Sequence, residues 1–197
     1  LVHHTCVGYS GACWGLGFPH AVSRGLEHDS NTPFSTMTGY PLEALVRYAA
    51  VTEDLEYTGT IKSVYRFFDQ DLAVMSESPA ELVTSYGPSR DRVVVNAVSY
   101  AMYAYSLLLE YLPETQQRVV RTKIGKQYAF IRRNQRKDGS WLYSPDGRSF
   151  IDCFHSCIVL KNLIKTNKTV PLEGCGDLVQ NGYGYLTRNF YDDRYGL

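Results

Sequence analysis

Residues 135–163 read QRKDGSWLYSPDGRSFIDCFHSCIVLKNL and carry the strongest structural signal in the chain. Gly139 follows an aspartate and can adopt the positive φ that ends a helix. A second Asp-Gly pair, Asp146-Gly147, predicts another bend. Asp152 then stands where its carboxylate can accept hydrogen bonds from the free N–H groups of a helix start. The stretch therefore predicts a helix end, a tight connection and a new helix.

The helix after Asp152 has a predicted apolar side. Its members recur at spacings that place them on one side of a helix: Phe154, Cys157, Ile158, Leu160 and Ile164. Similar patterns predict five other helices, with bounds near 35–51, 56–72, 94–111, 114–134 and 177–189. Residues 73–92 predict a long connection with room for a short helix near 79–84, and no strand pattern competes in the chain.

The predicted helices pair, and the pairs repeat. Thr36, Asn96 and Asp152 each begin an apolar helix that a second helix follows, at intervals of 56–60 residues. Three αα-hairpins with this period predict an all-α protein, an α/α-toroid-like array in which the first helix of each pair lines an inner ring. Three hairpins make only a partial or open ring. We therefore expect an oligomer or a missing segment to complete it.

The first 34 residues differ from the rest in composition. Five glycines from Gly8 to Gly25 argue against a long helix, so we expect an irregular, aromatic-rich segment over residues 1–34. Trp14, Phe18 and His20 are its expected anchors. Residues 35–197 form the predicted hairpin-repeat domain.

Composition excludes several classes of function. The formal net charge is zero, which leaves no electrostatic footprint for nucleic acid. No stretch reaches the roughly 18 apolar residues of a membrane span, and no secretion signal is evident. The five cysteines have no metal-like spacing and are expected to be reduced and buried, which suggests a cytoplasmic protein. The sequence predicts no cofactor and no metal site.

Several motifs resemble one family of proteins. NQRKDGSWLY followed by FIDCFHSCIVLKNL is similar to the α/α-toroid proteins of bacterial exopolysaccharide and lipopolysaccharide biosynthesis. Residues 15–25 (GLGFPHAVSRG), the Val-x-Asn start at Asn96 and residues 189–193 (NFYDD) resemble further family segments. The chain departs from the family in lacking an N-terminal hairpin block and in having Cys153 where asparagine is usual.

The resemblance implies a role with carbohydrates. The family is distantly similar to six-hairpin glycosidases, polysaccharide lyases and uronyl epimerases. It implies a protein of surface-polysaccharide biosynthesis or modification that acts on an oligo- or polysaccharide by hydrolysis, elimination or epimerisation. The alternative is a non-catalytic glycan-binding or scaffold protein of the same machinery.

The sharpest catalytic candidates are Asp152 and His155. Three residues apart at a helix start, their side chains can meet, and a histidine held by a carboxylate can transfer protons near neutral pH. The competing interpretation is that Asp152 only caps its helix and His155 only packs. The starts of the inner helices are expected to converge on a central funnel of the ring. Asn96, as a glycan-binding residue, and Tyr103, as a proton donor, are predicted to face this funnel together with Asp152 and His155. The alternative for Asn96 and Tyr103 is core packing.

The N-terminal segment supplies other candidates. Arg24 can bind a uronate carboxylate through two parallel hydrogen bonds, and Glu27 can pair with Asp152 as a second hydrolytic carboxylate. A solvated loop is the alternative for both. Trp14, Trp141 and Tyr143 are candidate stacking surfaces for sugar rings, although Trp141 is better explained as the cover of its own turn.

Overall fold

The computed structural model describes residues 2–22, 26–147 and 149–191. Within these ranges most of the chain is helical. Six α-helices follow one another: α1 (Ser35–Thr52), α2 (Thr58–Arg66), α3 (Val95–Leu108), α4 (Glu114–Arg133), α5 (Cys153–Thr169) and α6 (Cys175–Phe190). A π-helical turn, Phe67–Asp71, extends α2, and a 3₁₀ turn, Leu109–Tyr111, extends α3. The helix predictions are confirmed to within a few residues.

The helices form three antiparallel hairpins in two layers. Helix α3 is central, because it packs against α1 on one side and α5 on the other. Helices α2, α4 and α6 pack against α1, α3 and α5 respectively. Almost every residue of α3 is buried, including Tyr100 and Tyr105 at 1% exposure. The array is thus the predicted inner row of helices with an outer row behind it.

The strands are a correction to the sequence prediction. Residues 73–92 hold no short helix; they form an antiparallel hairpin of β3 (Val74–Glu77) and β4 (Leu82–Thr84). Ser78 closes its turn by accepting hydrogen bonds from the N–H groups of Ala80 and Glu81. All three residues of β4 are buried, and β4 lies against α4. Packing against a helix stabilises strands that are too short to be recognised by their alternation.

A second hairpin interrupts the N-terminal segment. Strands β1 (His20–Val22) and β2 (Leu26–His28) pair antiparallel, with His20 opposite His28. A 3₁₀ turn covers Val2–His4, and much of the remaining segment is irregular. Trp14 is buried, but Phe18 is 57% exposed and is not the anchor that its aromatic ring suggested.

The faces of α5 also differ from the prediction. Ile158 and Leu160 are buried as expected, whereas Phe154 is 64% exposed and Ile164 is 43% exposed. The buried face instead runs through Ser156, Val159, Leu163 and Thr166. The described residues thus leave both of these apolar side chains largely uncovered. Cys153 and Cys157 are exposed too, which corrects the expectation of buried thiols; Cys13 and Cys175 are buried.

Candidate functional site

The candidate site lies where α3 and α5 begin. The connection from Trp141 to Tyr143 runs between the two helix starts, and the N–H of Val95 donates to the carbonyl of Tyr143 at 3.0 Å. A small cavity opens at this point. Its walls are formed by Val95, Asn96, Trp141, Leu142, Tyr143, Asp152, His155, Ser156 and Val159. Five of the residues singled out from the sequence therefore line one cavity: the predicted pair Asp152 and His155, and their neighbours Asn96, Trp141 and Tyr143.

Asp152 and His155 meet through two hydrogen bonds. One carboxylate oxygen accepts from the backbone N–H of His155 at 2.7 Å, which is the predicted helix cap. The other lies 2.7 Å from Nδ1 of the imidazole. An ionised carboxylate can only accept hydrogen bonds, so Nδ1 carries the proton. Nε2 is then free to accept a proton from a ligand or water. The side chains are 35% and 27% exposed, so the pair, hereafter the dyad, is reachable from solvent.

Aromatic rings surround the histidine of the dyad. The ring centroids of Tyr143 and Phe150 lie 4.8 Å apart and nearly parallel, at 13°. The imidazole of His155 lies 4.7 Å from Tyr143 and 5.1 Å from Phe154. Phe150 and Phe154 are both more than half exposed. Large apolar rings at the surface beside polar groups are typical of sites that bind amphipathic ligands such as sugars.

Asn96 lies at the back of the cavity. It is 4% exposed, and its carbonyl oxygen Oδ1 has no hydrogen-bond partner among the described residues. The enclosed space beside it is about 10 Å³, roughly the room that one water molecule needs. A buried acceptor without a partner is costly, so this oxygen favours a donor from a ligand or water in the cavity.

Trp141 has a structural role that its surroundings explain. It is 3% exposed, and its indole N–H donates to the carbonyl of Ile131 at 3.0 Å. The ring packs on Gly182 of α6, where a Cβ would come within 2.6 Å of it. The ring thus fixes the turn between α4 and α5 and leaves only an edge for the cavity.

Tyr103 does not line the cavity. It is 4% exposed and lies farther along α3, beneath the ion pair between Lys165 of α5 and Glu43 of α1. The ammonium of Lys165 lies 5.4 Å above its ring. Burial first, and then the charge of Glu43, raise the pKa of Tyr103 well above its usual value, so the phenol keeps its proton.

The N-terminal candidates are spread out. Arg24 lies outside the described residues. Glu27 is exposed on β2 and lines a shallow cleft with Pro19, His20, Ala21, His28 and Asp29. Trp14 is 5% exposed and lines a different cleft with the first residues of the chain. Neither Glu27 nor Trp14 shares the cavity of Asp152.

Two charged residues that the sequence did not single out lie near both the β1–β2 hairpin and Tyr143. Asp91 lies 3.8 Å from Nε2 of His28, and the guanidinium of Arg92 lies 4.6 Å above the ring of Tyr86. The pKa of Tyr143 is raised mainly by burial. The positive charge of Arg92 lowers this pKa, and the negative charge of Asp91 raises it slightly. Burial likewise lowers the pKa of His28, and Asp91 opposes this effect. Asp91 and Arg92 lie just before the start of α3, an inner helix. Adjacent opposite charges at a predicted inner-helix start are the signal by which the sequence could have identified them.

The described residues contain no group of three histidine, cysteine or acidic side chains that could hold a metal ion. In the same part of the chain, no helix combines the length and the apolar character that crossing a membrane requires.

Comparison with solved structures identifies the fold. The chain is similar to an unsaturated glucuronyl hydrolase from Bacillus sp. GL1, responsible for the degradation of glycosaminoglycan, with 11% identity, a TM-score of 0.64, and coverage of 100% of this chain and 56% of that one. It is also similar to a glycosyl hydrolase of family 88 from Bacteroides vulgatus, with 11% identity, a TM-score of 0.61, and coverage of 81% and 50%. A possible GH105 member from Salmonella enterica has 14% identity, a TM-score of 0.61, and coverage of 87% and 50%.

These likenesses confirm the predicted α/α-toroid-like fold. The chain spans about half the length of each of these structures. No protein-family model matches the sequence, and no curated protein does either. At such low identities the comparisons define only the fold, and the reaction has to be inferred from the residues of the site.

Proposed function

We propose that this chain is carbohydrate-active and hydrolyses a glycosidic linkage with Asp152 and His155 as its acid–base pair. The observation that carries the proposal is the solvent-reachable dyad, whose carboxylate and Nδ1 lie 2.7 Å apart beside exposed aromatic rings. The glycosyl hydrolases among the structural neighbours support the same class of reaction. A role in building or modifying a bacterial surface polysaccharide is part of the proposal, and so is a cytoplasmic location.

The chemistry of the dyad fits proton transfer to and from an oxygen. With Nδ1 held by Asp152, the neutral imidazole of His155 presents Nε2 as a base that can activate water. In its protonated form the same nitrogen can donate to the departing glycosidic oxygen. Asp152 orients the ring and stabilises the imidazolium, since its second oxygen remains fixed by the helix start.

The aromatic rings supply the binding surface. A sugar ring that lies on Phe154 or Phe150 is brought beside Nε2 of His155, because both rings pack within 6 Å of the imidazole centroid. The unpartnered carbonyl of Asn96 can accept a hydrogen bond from a hydroxyl or from the attacking water. We propose an oligosaccharide with a terminal uronyl residue as substrate, the group named for one of the neighbours.

The test is the substitution Asp152→Asn, which keeps the capping oxygen and removes the charge. Hydrolysis of an oligosaccharide that ends in an unsaturated glucuronyl residue is followed by the new reducing end that cleavage of the glycosidic bond releases. We expect kcat to fall by about 10²- to 10⁴-fold, the usual contribution of acid–base catalysis, with little change in the melting temperature.

A matched control is Asp138→Asn. Asp138 also accepts from a backbone N–H, that of Ser140 at 3.0 Å, but it lies in the turn after α4 and away from the dyad. Its variant is expected to retain full activity. Equal activity of wild type and Asp152→Asn, with both folded, would show that Asp152 is only a helix cap.

A non-catalytic glycan-binding protein is the second candidate. It is favoured by the exposed rings of Phe150 and Phe154, which offer a binding surface, while the cavity beside Asn96, at about 10 Å³, has room for little more than one water molecule. Such a protein would bind the same oligosaccharide with equal affinity in wild type and Asp152→Asn, and neither would release product.

A further inference from the structure

A cluster of cations lies between α5 and α1, farther along α5 than the dyad. Lys165 pairs with Glu43, and Arg47 also bonds that carboxylate at 2.8 Å. Lys161 lies one turn before Lys165. Its ammonium is 4.6 Å from the ring centroid of Tyr100 and 5.3 Å from that of Tyr40. We call these four charged residues and the two tyrosines the lysine cluster.

The cluster has more positive than negative charge. Three cations, at Arg47, Lys161 and Lys165, share the single carboxylate of Glu43. Lys161 forms no ion pair within the described residues; it donates to the hydroxyl of Tyr100 at 3.3 Å and lies over aromatic faces. Burial, opposed by Glu43 and reinforced by the two neighbouring cations, lowers the pKa of Lys161. The ammonium of Lys161 therefore lacks a carboxylate partner of its own, and a bound anion would stabilise its charge.

The cluster is open to a ligand and is aligned with the dyad. Tyr40 is 46% exposed, and the side chain of Arg47 is 67% exposed. Phe154, Cys157, Lys161 and Lys165 are spaced by three or four residues and share one face of α5. From Phe154 to Lys161 the helix rises about 10 Å. A short oligosaccharide that lies on Phe154 can therefore extend along this face to Lys161.

We propose that the lysine cluster is a binding subsite for a sugar carboxylate, and that it holds an acidic sugar away from the residue placed at the dyad. This inference rests on the proposed function, because it assumes that a glycan lies along α5. A carboxylate would supply the missing counter-charge to Lys161 and accept from its ammonium and from the hydroxyl of Tyr40. The tyrosine rings would pack against the sugar face.

The experiment compares trigalacturonate with its methyl ester by calorimetric titration of the full chain at low salt. The two probes share their sugar rings and differ in charge. We expect the acid to bind at least about tenfold more tightly than the ester, the effect of one charge-assisted contact. Lys161→Met keeps the packing on the tyrosines and removes the ammonium, so it should abolish this preference and leave ester binding unchanged.

Lys168→Met is the control. Lys168 lies on the same helix, is exposed and belongs to its last turn, so its loss changes the net charge by the same amount. The proposal is overturned by equal binding of acid and ester, by no binding of either, or by the same loss in Lys168→Met as in Lys161→Met. Hydrolysis by the wild-type chain separates the two proposals. Hydrolysis together with equal binding of acid and ester overturns the subsite alone, whereas a charge preference that Lys161→Met abolishes, without any hydrolysis, overturns the proposed function alone.

Discussion

Gly139 shows how a single residue can fix the turn beside the site. Its φ is +97°, and a Cβ at this position would lie 2.2 Å from the carbonyl oxygen of Asn181 in α6. Gly147 also has a positive φ, +76°, but no atom lies within 4 Å of its Cβ position. The two Asp-Gly turns therefore share the backbone requirement and differ in their surroundings.

This difference predicts the cost of two substitutions. We expect Gly147→Ala to lower the free energy of unfolding by about 1 kcal/mol, the price of a positive φ alone. Gly139→Ala should cost at least about 3 kcal/mol, because the methyl group also displaces α6. Urea denaturation of both variants measures the two values. Equal costs would mean that α6 does not approach the turn as closely as described.

At the residue scale, local chemistry was predictable and burial was not. The cap by Asp152, its approach to His155 and the Asp-Gly turns depend on neighbours in sequence, and the structure has all of them. The orphan oxygen of Asn96 and the exposed rings of Phe150 and Phe154 depend on which helices pack nearby. Single-residue patterns contain no information on that packing.

At the scale of elements, helices were predictable because their apolar periodicity extends over several turns. Strands β3 and β4 are three or four residues long, too short for alternation to be distinguished from chance. They are stabilised by α4, which contributes ion pairs from Lys126 to Glu77 at 2.8 Å and from Arg133 to Glu81. Such strands are products of tertiary contact.

The contact between α1 and α5 gives a pH prediction. Burial acts to raise the pKa of Glu43, but Lys165 and Arg47 outweigh it and hold the pKa below its usual 4.5. A carboxyl with a lowered folded-state pKa stabilises the fold above the unfolded-state value, and this contribution is lost as pH falls through the folded-state value.

Glu43→Gln should therefore reduce the free energy of unfolding by about 2 kcal/mol at pH 7, since it leaves Lys165 without a partner. The difference from wild type should shrink as the pH falls below 4.5 and disappear once the pH is below the lowered folded-state pKa of Glu43. Denaturation at pH 7 and over a series of acid pH values tests this, with Glu110→Gln, at an exposed position, as control. A difference that persists in acid would assign the effect to packing instead of charge.

At the scale of the whole molecule, the repeat of Thr36, Asn96 and Asp152 predicted the architecture. All three lie at or beside the start of an inner helix. The described helices form half of the toroid length found in the similar structures.

The most direct test of the account is a crystal structure of the Asp152→Asn variant with an acidic oligosaccharide bound. We expect a sugar ring against Phe154, its glycosidic oxygen within hydrogen-bond reach of Nε2 of His155, and a carboxylate near Lys161. A sugar bound elsewhere, or a dyad that no sugar reaches in a saturated crystal, would contradict the claim that Asp152 and His155 act on a glycan.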